Sequence, residues 1–210
     1  MKPYLKRAWA EISLSALEAN IRAISASLQG NTQIMAVVKA DAYGHGEAEI
    51  LQKLTQIGIR YFAVSNLDEA LHVRQYCPDS DVLILGYTPP EYADTLAQNN
   101  IIQGIVSAEY ACTLNARTRT PIRCHVKLDT GMGRIGITGD TPGDCADSIQ
   151  DMSFLRNLKI EGILLRDTPN WTLKIVGSTG VHIDNIKEIG WIMNSDGMDF
   201  ICCRNVLVEN

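Results

Sequence analysis

Two short segments of this 210-residue chain carry side chains that could do chemistry together. The first is Lys39-Ala-Asp-Ala-Tyr-Gly-His-Gly46, which directly follows the apolar run Ile34-Met-Ala-Val-Val38. If that run is a buried parallel strand, the Lys39 amine lies at its carboxyl end, the face on which β/α barrels place their reactive groups. Low-dielectric surroundings disfavour an ammonium and leave a nucleophilic amine able to form an imine with a carbonyl. Tyr43 adds a hydroxyl donor beside it, and Gly44 and Gly46 add permissive backbone, a setting in which an anion such as phosphate can bind. The plainer reading of the same residues is a strand-end lysine snorkelling to water next to a packed tyrosine. His45 has no partner at metal-ligand spacing and reads as structural, so no metal is expected.

The second segment is His125-Val-Lys-Leu-Asp-Thr-Gly-Met-Gly-Arg-Ile-Gly136, again an apolar run turning into a glycine-rich loop. Lys127, Asp129 and Arg134 converge near a strand end. Two cations around one carboxylate are expensive to bury unless a further anion joins them, which a cofactor oxygen or a modified lysine would supply. A solvated loop is the alternative. Other polar groups gather less well: Ser65, Asp68 and His72 lie along one helix start without a nucleophile elbow. Cys202-Cys203 has neither a nearby histidine nor metal spacing.

The elements that must position these segments follow from periodicity. Short Val- and Ile-rich runs alternate with segments of helical period, which is the α/β pattern of parallel strands joined by crossover helices. Strands are expected at Trp9–Ile12, Ile34–Val38, Tyr61–Ser65, Val82–Leu85, Ile101–Val106, Ile122–Leu128 and Leu158–Ile163. Leu14, Leu17, Ile21, Ile24 and Leu28 predict a helix with one buried stripe, capped by Ser13 or Ser15. Asn66 and the pair Pro89-Pro90 mark two further helix starts. A dinucleotide fold would place G-x-G-x-x-G after its first strand; Lys39–Gly46 stands there instead. A complete (β/α) barrel needs eight strands and about 250 residues, whereas about six strands here could belong to one. After Ile163 the rhythm stops, and the Gly177-Ser-Thr-Gly180 stretch between two apolar runs predicts a hairpin.

Composition narrows the partners. A net charge of −5, from 19 basic and 24 acidic residues, offers no basic stripe for nucleic acid or an anionic membrane. No secretory h-region and no run of about 18 apolar residues is present. The six cysteines form no C-x-x-C pair and read as reduced thiols, so a cytoplasmic protein with a small-molecule partner is expected.

Arg7-Ala-Trp-Ala-Glu-Ile12, Val37-Val-Lys-Ala-Asp-Ala-Tyr-Gly-His-Gly46 and Lys127-Leu-Asp-Thr-Gly-Met-Gly-Arg-Ile-Gly136 together resemble three signatures of bacterial alanine racemase, in order and at family spacing. The resemblance covers roughly residues 5–163. It implies a TIM-type (β/α) barrel binding pyridoxal 5'-phosphate, here incomplete. It also implies a homodimer that interconverts L- and D-alanine and so supplies D-alanine for peptidoglycan. By the resemblance Lys39 binds the cofactor and acts as a base on the substrate Cα, Tyr43 contacts its phosphate, and Arg134 stands near its phenolic oxygen. Lys127 matches a lysine often carbamylated in the family. Residues 1–13 would be an N-terminal strand that packs with a carboxyl-terminal β domain, 14–163 the barrel portion and 164–210 a divergent tail.

The departures are specific. In the family a second base, a tyrosine, comes from the partner's carboxyl-terminal domain; in this chain the last tyrosine is Tyr110. Glu161-Gly-Ile-Leu-Leu-Arg166 stands where the family has a histidine beside the cofactor ring. These differences leave a truncated, catalytically incomplete cofactor-binding fragment, as after a frameshift near Ile163, and a racemase acting on serine as the alternatives. An open barrel would expose two strand edges, which the tail or a second chain is expected to cover.

Overall fold

The computed structural model describes residues 10–129, 132–138, 159–161, 164–166, 173–176, 179–184, 187–189 and 198–209. They fall in two compact units. The first comprises the residues up to Gly104 together with Thr118–His125, and the second Ile105–Arg117 with the residues from Val126 onward.

The first unit is organised by a parallel sheet in the order β1 (Met35–Val37), β2 (Tyr61–Val64), β3 (Asp81–Ile84), β4 (Ile101–Ile105), β5 (Cys124–Val126). Register aligns Val37, Ala63, Leu83 and Ile102 in one row. Ala63, Leu83 and Ile102 form a buried cluster with Met35 and Leu85 against it, while Phe62, Val64, Val82 and Ile84, the residues alternating with them, are fully buried on the other face. Burial on both faces is why these strands read as continuous apolar runs rather than as alternating ones. α1 (Leu14–Ser27) precedes β1, and between strands run α2 (Lys39–Gly44), α3 (Glu47–Gln56), α4 (Leu67–Tyr76) and, after a 3-10 turn at Pro90–Tyr92, α5 (Ala93–Gln98). Leu51, Leu54, Ala70, Val73 and Leu96 from these helices complete the core.

The expected helix starts are found. Ser13 Oγ accepts the Ala16 N–H at 3.2 Å, and Asn66 Oδ1 accepts the Glu69 N–H at 3.0 Å. The α1 stripe differs from expectation. No α1 residue is buried and Ile24 is half exposed, because among the described residues α1 packs mainly on α3. Glu18, in that helix, bonds Lys53 of α3. Ala10–Ile12 carry no strand, and the rest of the Trp9–Ile12 expectation lies outside the described residues, as do residues 1–9.

Arg74 closes the far end of the sheet. Its guanidinium donates to the carbonyls of Pro78 (2.7 Å), Ser80 (2.6 Å), Asn99 (3.0 Å) and Asn100 (2.9 Å), satisfying two loops at once. Arg123 forms a two-pronged ion pair with Asp81.

The second unit contains α6 (Ala108–Arg117) and seven short strands: β6 (Lys159–Glu161), β7 (Leu164–Arg166), β8 (Leu173–Val176), β9 (Thr179–Asp184), β10 (Lys187–Ile189), β11 (Met198–Ile201) and β12 (Arg204–Glu209). They pair in parallel as β6-β9-β12, β7-β10 and β8-β11. Lys159 aligns with His182 and Leu164 with Lys187, while Leu173 aligns with Met198 and Thr179 with Arg204. A three-strand turn that recurs at nearly constant spacing and pairs with its own next copy is the topology of a parallel β-solenoid. Two expectations are corrected here. The run Leu158–Ile163 does not add a sixth strand to the five-stranded sheet: its strand pairs with β9. The apolar runs flanking Gly177–Gly180 are not a hairpin, because β8 and β9 belong to different ladders and each finds its partner one turn along the chain. Val181 and Ile183 are buried in β9, and His182 Nε2 bonds Glu209 Oε1 across the β9–β12 step at 2.7 Å.

The Arg123 guanidinium, bonded to Asp81, holds that carboxyl below its usual range against the opposing effect of burial. A carboxyl whose folded pKa is depressed contributes stability above its unfolded value of about 3.9, and that contribution fades as pH falls through the lower folded value. Asp81→Asn is therefore expected to lower the urea midpoint at neutral pH, with the difference from the parent chain closing as the pH falls below the unfolded carboxyl value of about 3.9.

Candidate functional site

Lys39 stands where β1 ends. Val38 donates its N–H to the Ala63 carbonyl at 2.9 Å, as a strand residue would, but its own torsions (φ −118°, ψ 17°) have left the extended region. Ala40, Asp41, Ala42 and Tyr43 then follow at φ between 52° and 59°, with ψ between 34° and 54°. These four successive L-residues form a left-handed helical turn. Each such residue costs roughly 1–2 kcal/mol against right-handed backbone. The strain falls on Ala, Asp, Ala and Tyr, whereas Gly44 and Gly46 (φ 80° and 87°) take positive φ readily.

Hydrogen bonds hold the turn. Ala42 N–H reaches the Val38 carbonyl (2.9 Å), His45 N–H the Ala42 carbonyl (3.2 Å) and Gly46 N–H the Asp41 carbonyl (3.2 Å). The Asp41 carboxylate accepts the Glu47 N–H at 2.7 Å, capping α3, and His45 Nδ1 lies 2.7 Å from the Ala42 carbonyl. His45 thereby adds a side-chain contact to the backbone of the same turn. The long-range tie is Glu69. Its Oε1 accepts the Ala40 N–H (2.8 Å), while Oε2 accepts both the N–H (2.8 Å) and the hydroxyl (2.7 Å) of Ser65, the residue that follows β2. Burial pushes the Glu69 carboxyl up, but these bonds outweigh it and hold the group below its ordinary range.

Lys39 is half-buried and its Nζ lies 5.8 Å from the centroid of the Tyr43 ring, within cation–π reach. Tyr43 is 60% exposed. Among the described residues of the first unit the amine is therefore flanked rather than enclosed, and the dry surroundings expected for it are not present in that unit by itself. A primary amine and a phenol leaving one tight turn fit a ligand that carries a carbonyl and an anionic group. Nearby, Glu47 is pushed above the usual carboxylate range by burial, opposed by His72, and its Oε1 is buried without a hydrogen-bond partner. Ser65 and His72 are engaged with Glu69 and Glu47, which leaves no hydrolase triad in that helix start.

The second segment lies in the second unit. Lys127 N–H reaches the Ile105 carbonyl (2.8 Å), its carbonyl accepts the Ile137 N–H (2.8 Å), and Asp129 N–H returns to Ile137 (2.9 Å), closing a loop bridged at Leu128 and Ile137. The Asp129 carboxylate accepts the N–H groups of Gly133 and Arg134, both at 3.1 Å. The carboxylate of this cluster therefore binds the loop backbone, a role that charge counting did not suggest. Lys127 is half-buried and Arg134 exposed; Thr130 and Gly131 lie outside the described residues. The structure brings Lys39 and Tyr43 together in one unit and gathers Lys127, Asp129 and Arg134 in the other.

Glu69 and Asp41 escaped the sequence reading. Their signal was present but pointed elsewhere: Asn66-Leu-Asp-Glu69 spells a helix-capping pattern, and a glutamate in it is expected to serve its own helix. Among the described residues, one further group of donors is close enough to share a cation: His182, Asp184 and Glu209, whose ligand atoms all lie within 4.8 Å of one another. Exposed carboxylates on neighbouring strands often adopt such spacing without an ion.

Comparison with known proteins places the chain in a family. The family described as alanine racemase, N-terminal domain matches residues 12–165. An amino-acid racemase of Enterococcus faecalis is 45% identical over 158 residues, 75% of this chain and 22% of that protein. A serine/alanine racemase of Enterococcus gallinarum is 41% identical over 151 residues, 72% of this chain and 21% of that protein. The solved alanine racemase of Clostridium difficile 630 superposes with a TM-score of 0.66 at 31% identity, over 80% of this chain and 44% of that one. This chain thus spans less than half the length of each of these relatives.

The backbone makes two substitutions informative. Ala40→Gly at φ 52° is expected to raise stability by up to about 1 kcal/mol, since relief of left-handed strain exceeds the entropy that glycine adds to the unfolded chain. Ala40→Val should lower it, and urea titration separates the two. In the second loop, a Cβ on Gly136 would stand 2.9 Å from the Asp129 nitrogen and 3.1 Å from the Lys127 carbonyl oxygen, at φ 139°. Gly136→Ala is accordingly expected to open that loop, read as faster hydrogen exchange at the Asp129 and Ile137 amides.

Proposed function

The chain belongs to the alanine racemase N-terminal domain family, and from that premise we propose that it is the cofactor-holding portion of a pyridoxal 5'-phosphate-dependent amino-acid racemase acting on alanine. The observation that carries this reading is the position of Lys39, an amine at the carboxyl end of a parallel strand with the Tyr43 phenol leaving the same turn. The residues from α1 to β5, which hold the five-stranded sheet, are proposed as the barrel portion, and those from β6 onward as a separate tail.

Each side chain has a distinct part. Lys39 holds the cofactor through its aldehyde carbon, and Tyr43 donates its hydroxyl to the phosphate. Arg134 is the cation for the phenolic oxygen, and Lys127, once carbamylated, is the anion that orients Arg134. When bound, the cofactor withdraws electron density from the substrate Cα and so acidifies its proton. The Lys39 amine, when free, would be the base that takes and returns that proton on one face.

Inversion needs a base on the opposite face as well. Tyr110, the last tyrosine, is 5% exposed within α6 and is not free to serve. This favours a second reading for the chain by itself: a portion that binds the cofactor and exchanges a Cα proton without inverting the centre. Serine remains the alternative substrate, given the serine/alanine racemase relative.

Incubation with pyridoxal phosphate and each alanine enantiomer in D2O, followed by NMR, tests the proposal. Deuterium is expected to enter Cα of one enantiomer with its configuration retained, and Lys39→Ala should abolish the exchange. Deuterium uptake that survives in Lys39→Ala would contradict the assignment, whereas inversion by the parent chain would show that a second base is present.

A further inference from the structure

We propose that Glu69 is a positioning residue for the Lys39 amine, tying the strand end that carries it to the end of the neighbouring strand. The inference rests on Lys39 being the carbonyl-binding amine.

The Ala40 N–H that Glu69 Oε1 accepts belongs to the peptide that joins Lys39 to Ala40. Fixing that peptide plane fixes ψ of Lys39, and with it the direction in which the side chain leaves the turn. The other bonds of the turn, from Ala42 to Val38, His45 to Ala42, Gly46 to Asp41 and Glu47 to Asp41, are local. They hold the turn to itself and do not relate the Lys39–Ala40 peptide to the rest of the sheet.

Glu69 is itself prevented from swinging. Oε2 is held by the Ser65 N–H and hydroxyl, and the Glu69 N–H is bonded to Asn66 Oδ1 at the start of α4. That helix is anchored by Ala70 and Val73, both fully buried. The path from core to amine therefore runs through Ala70 and Val73, the Glu69 carboxylate and the Ala40 N–H to Lys39. A carboxylate is required because three donors converge on its two oxygens. Glutamine, of the same size, would present its NH2 to at least one of those donors. Aspartate, shorter by one methylene, would not span both strand ends.

Competitive labelling of the full chain with acetic anhydride, without cofactor, reads the amine directly. Mass spectrometry of the peptides gives the rate at Lys39 relative to Lys53, which is held by Glu18 in α1 and serves as an internal reference. Glu69→Gln is expected to change the Lys39/Lys53 ratio by about threefold to tenfold, and Ser65→Ala to change it in the same direction by less. General loosening would move both lysines together. An unchanged ratio in Glu69→Gln, or both rates moving together, overturns the proposal. If Glu69→Gln does not fold, Ser65→Ala decides in the same terms. A separate titration of the parent chain with pyridoxal phosphate keeps the two readings apart. A shifted labelling ratio in a chain that forms no Schiff base leaves the Glu69 assignment standing and removes the cofactor reading. Schiff-base formation with an unchanged ratio does the reverse.

Discussion

Four consecutive L-residues wound in the left-handed sense, just past the end of the partly exposed edge strand β1, form the constraint on which the rest of the site depends. Such a turn is unfavourable alone, and it persists because the sheet fixes one end, the α3 cap fixes the other and a shared carboxylate fixes the peptide between. The geometry that results is chemically useful. It brings an amine and a phenol out of one short stretch of backbone, the Lys39 Nζ lying 5.8 Å from the Tyr43 ring centroid.

The parallel sheet was legible because its strands are buried on both faces. Phe62 to Val64 and Val82 to Ile84 appear as unbroken apolar runs, and Ile101 to Ile105 is interrupted only by the buried Gln103 and Gly104. The helix starts at Ser13 and Asn66 were legible for a local reason, since one side-chain oxygen and one backbone N–H suffice to mark them. The left-handed turn was not, because Ala-Asp-Ala-Tyr has no intrinsic preference for positive φ and the bonds imposing it come partly from 29 residues away. Glu69 was hidden for the same reason: the sequence around it fits a helix cap, and its role emerges only when β1 and β2 lie side by side. Asp129 was recognised as part of a cluster, but its partners proved to be backbone amides, which charge patterning does not reveal.

The tail illustrates a different limit. Short apolar runs separated by glycine and serine carry the same local signal whether each strand pairs with its sequence neighbour or with the copy one solenoid turn away. Only the register distinguishes the two, and here it links strands more than twenty residues apart. The match to the racemase family ends at residue 165, while the solenoid ladder already includes β6. The carboxyl-terminal strands thus follow a repeat of their own, distinct from the alternation of strand and helix that organises the first unit.

The central claim is that one amine, among all the lysines of this chain, captures a carbonyl-bearing cofactor. Borohydride reduction of the chain after incubation with pyridoxal phosphate, followed by peptide mapping, tests it most directly. The account predicts that the reduced adduct resides on the peptide containing Lys39 and on no other at stoichiometric cofactor. An adduct distributed over the exposed lysines, with Lys39 unmodified, would contradict it.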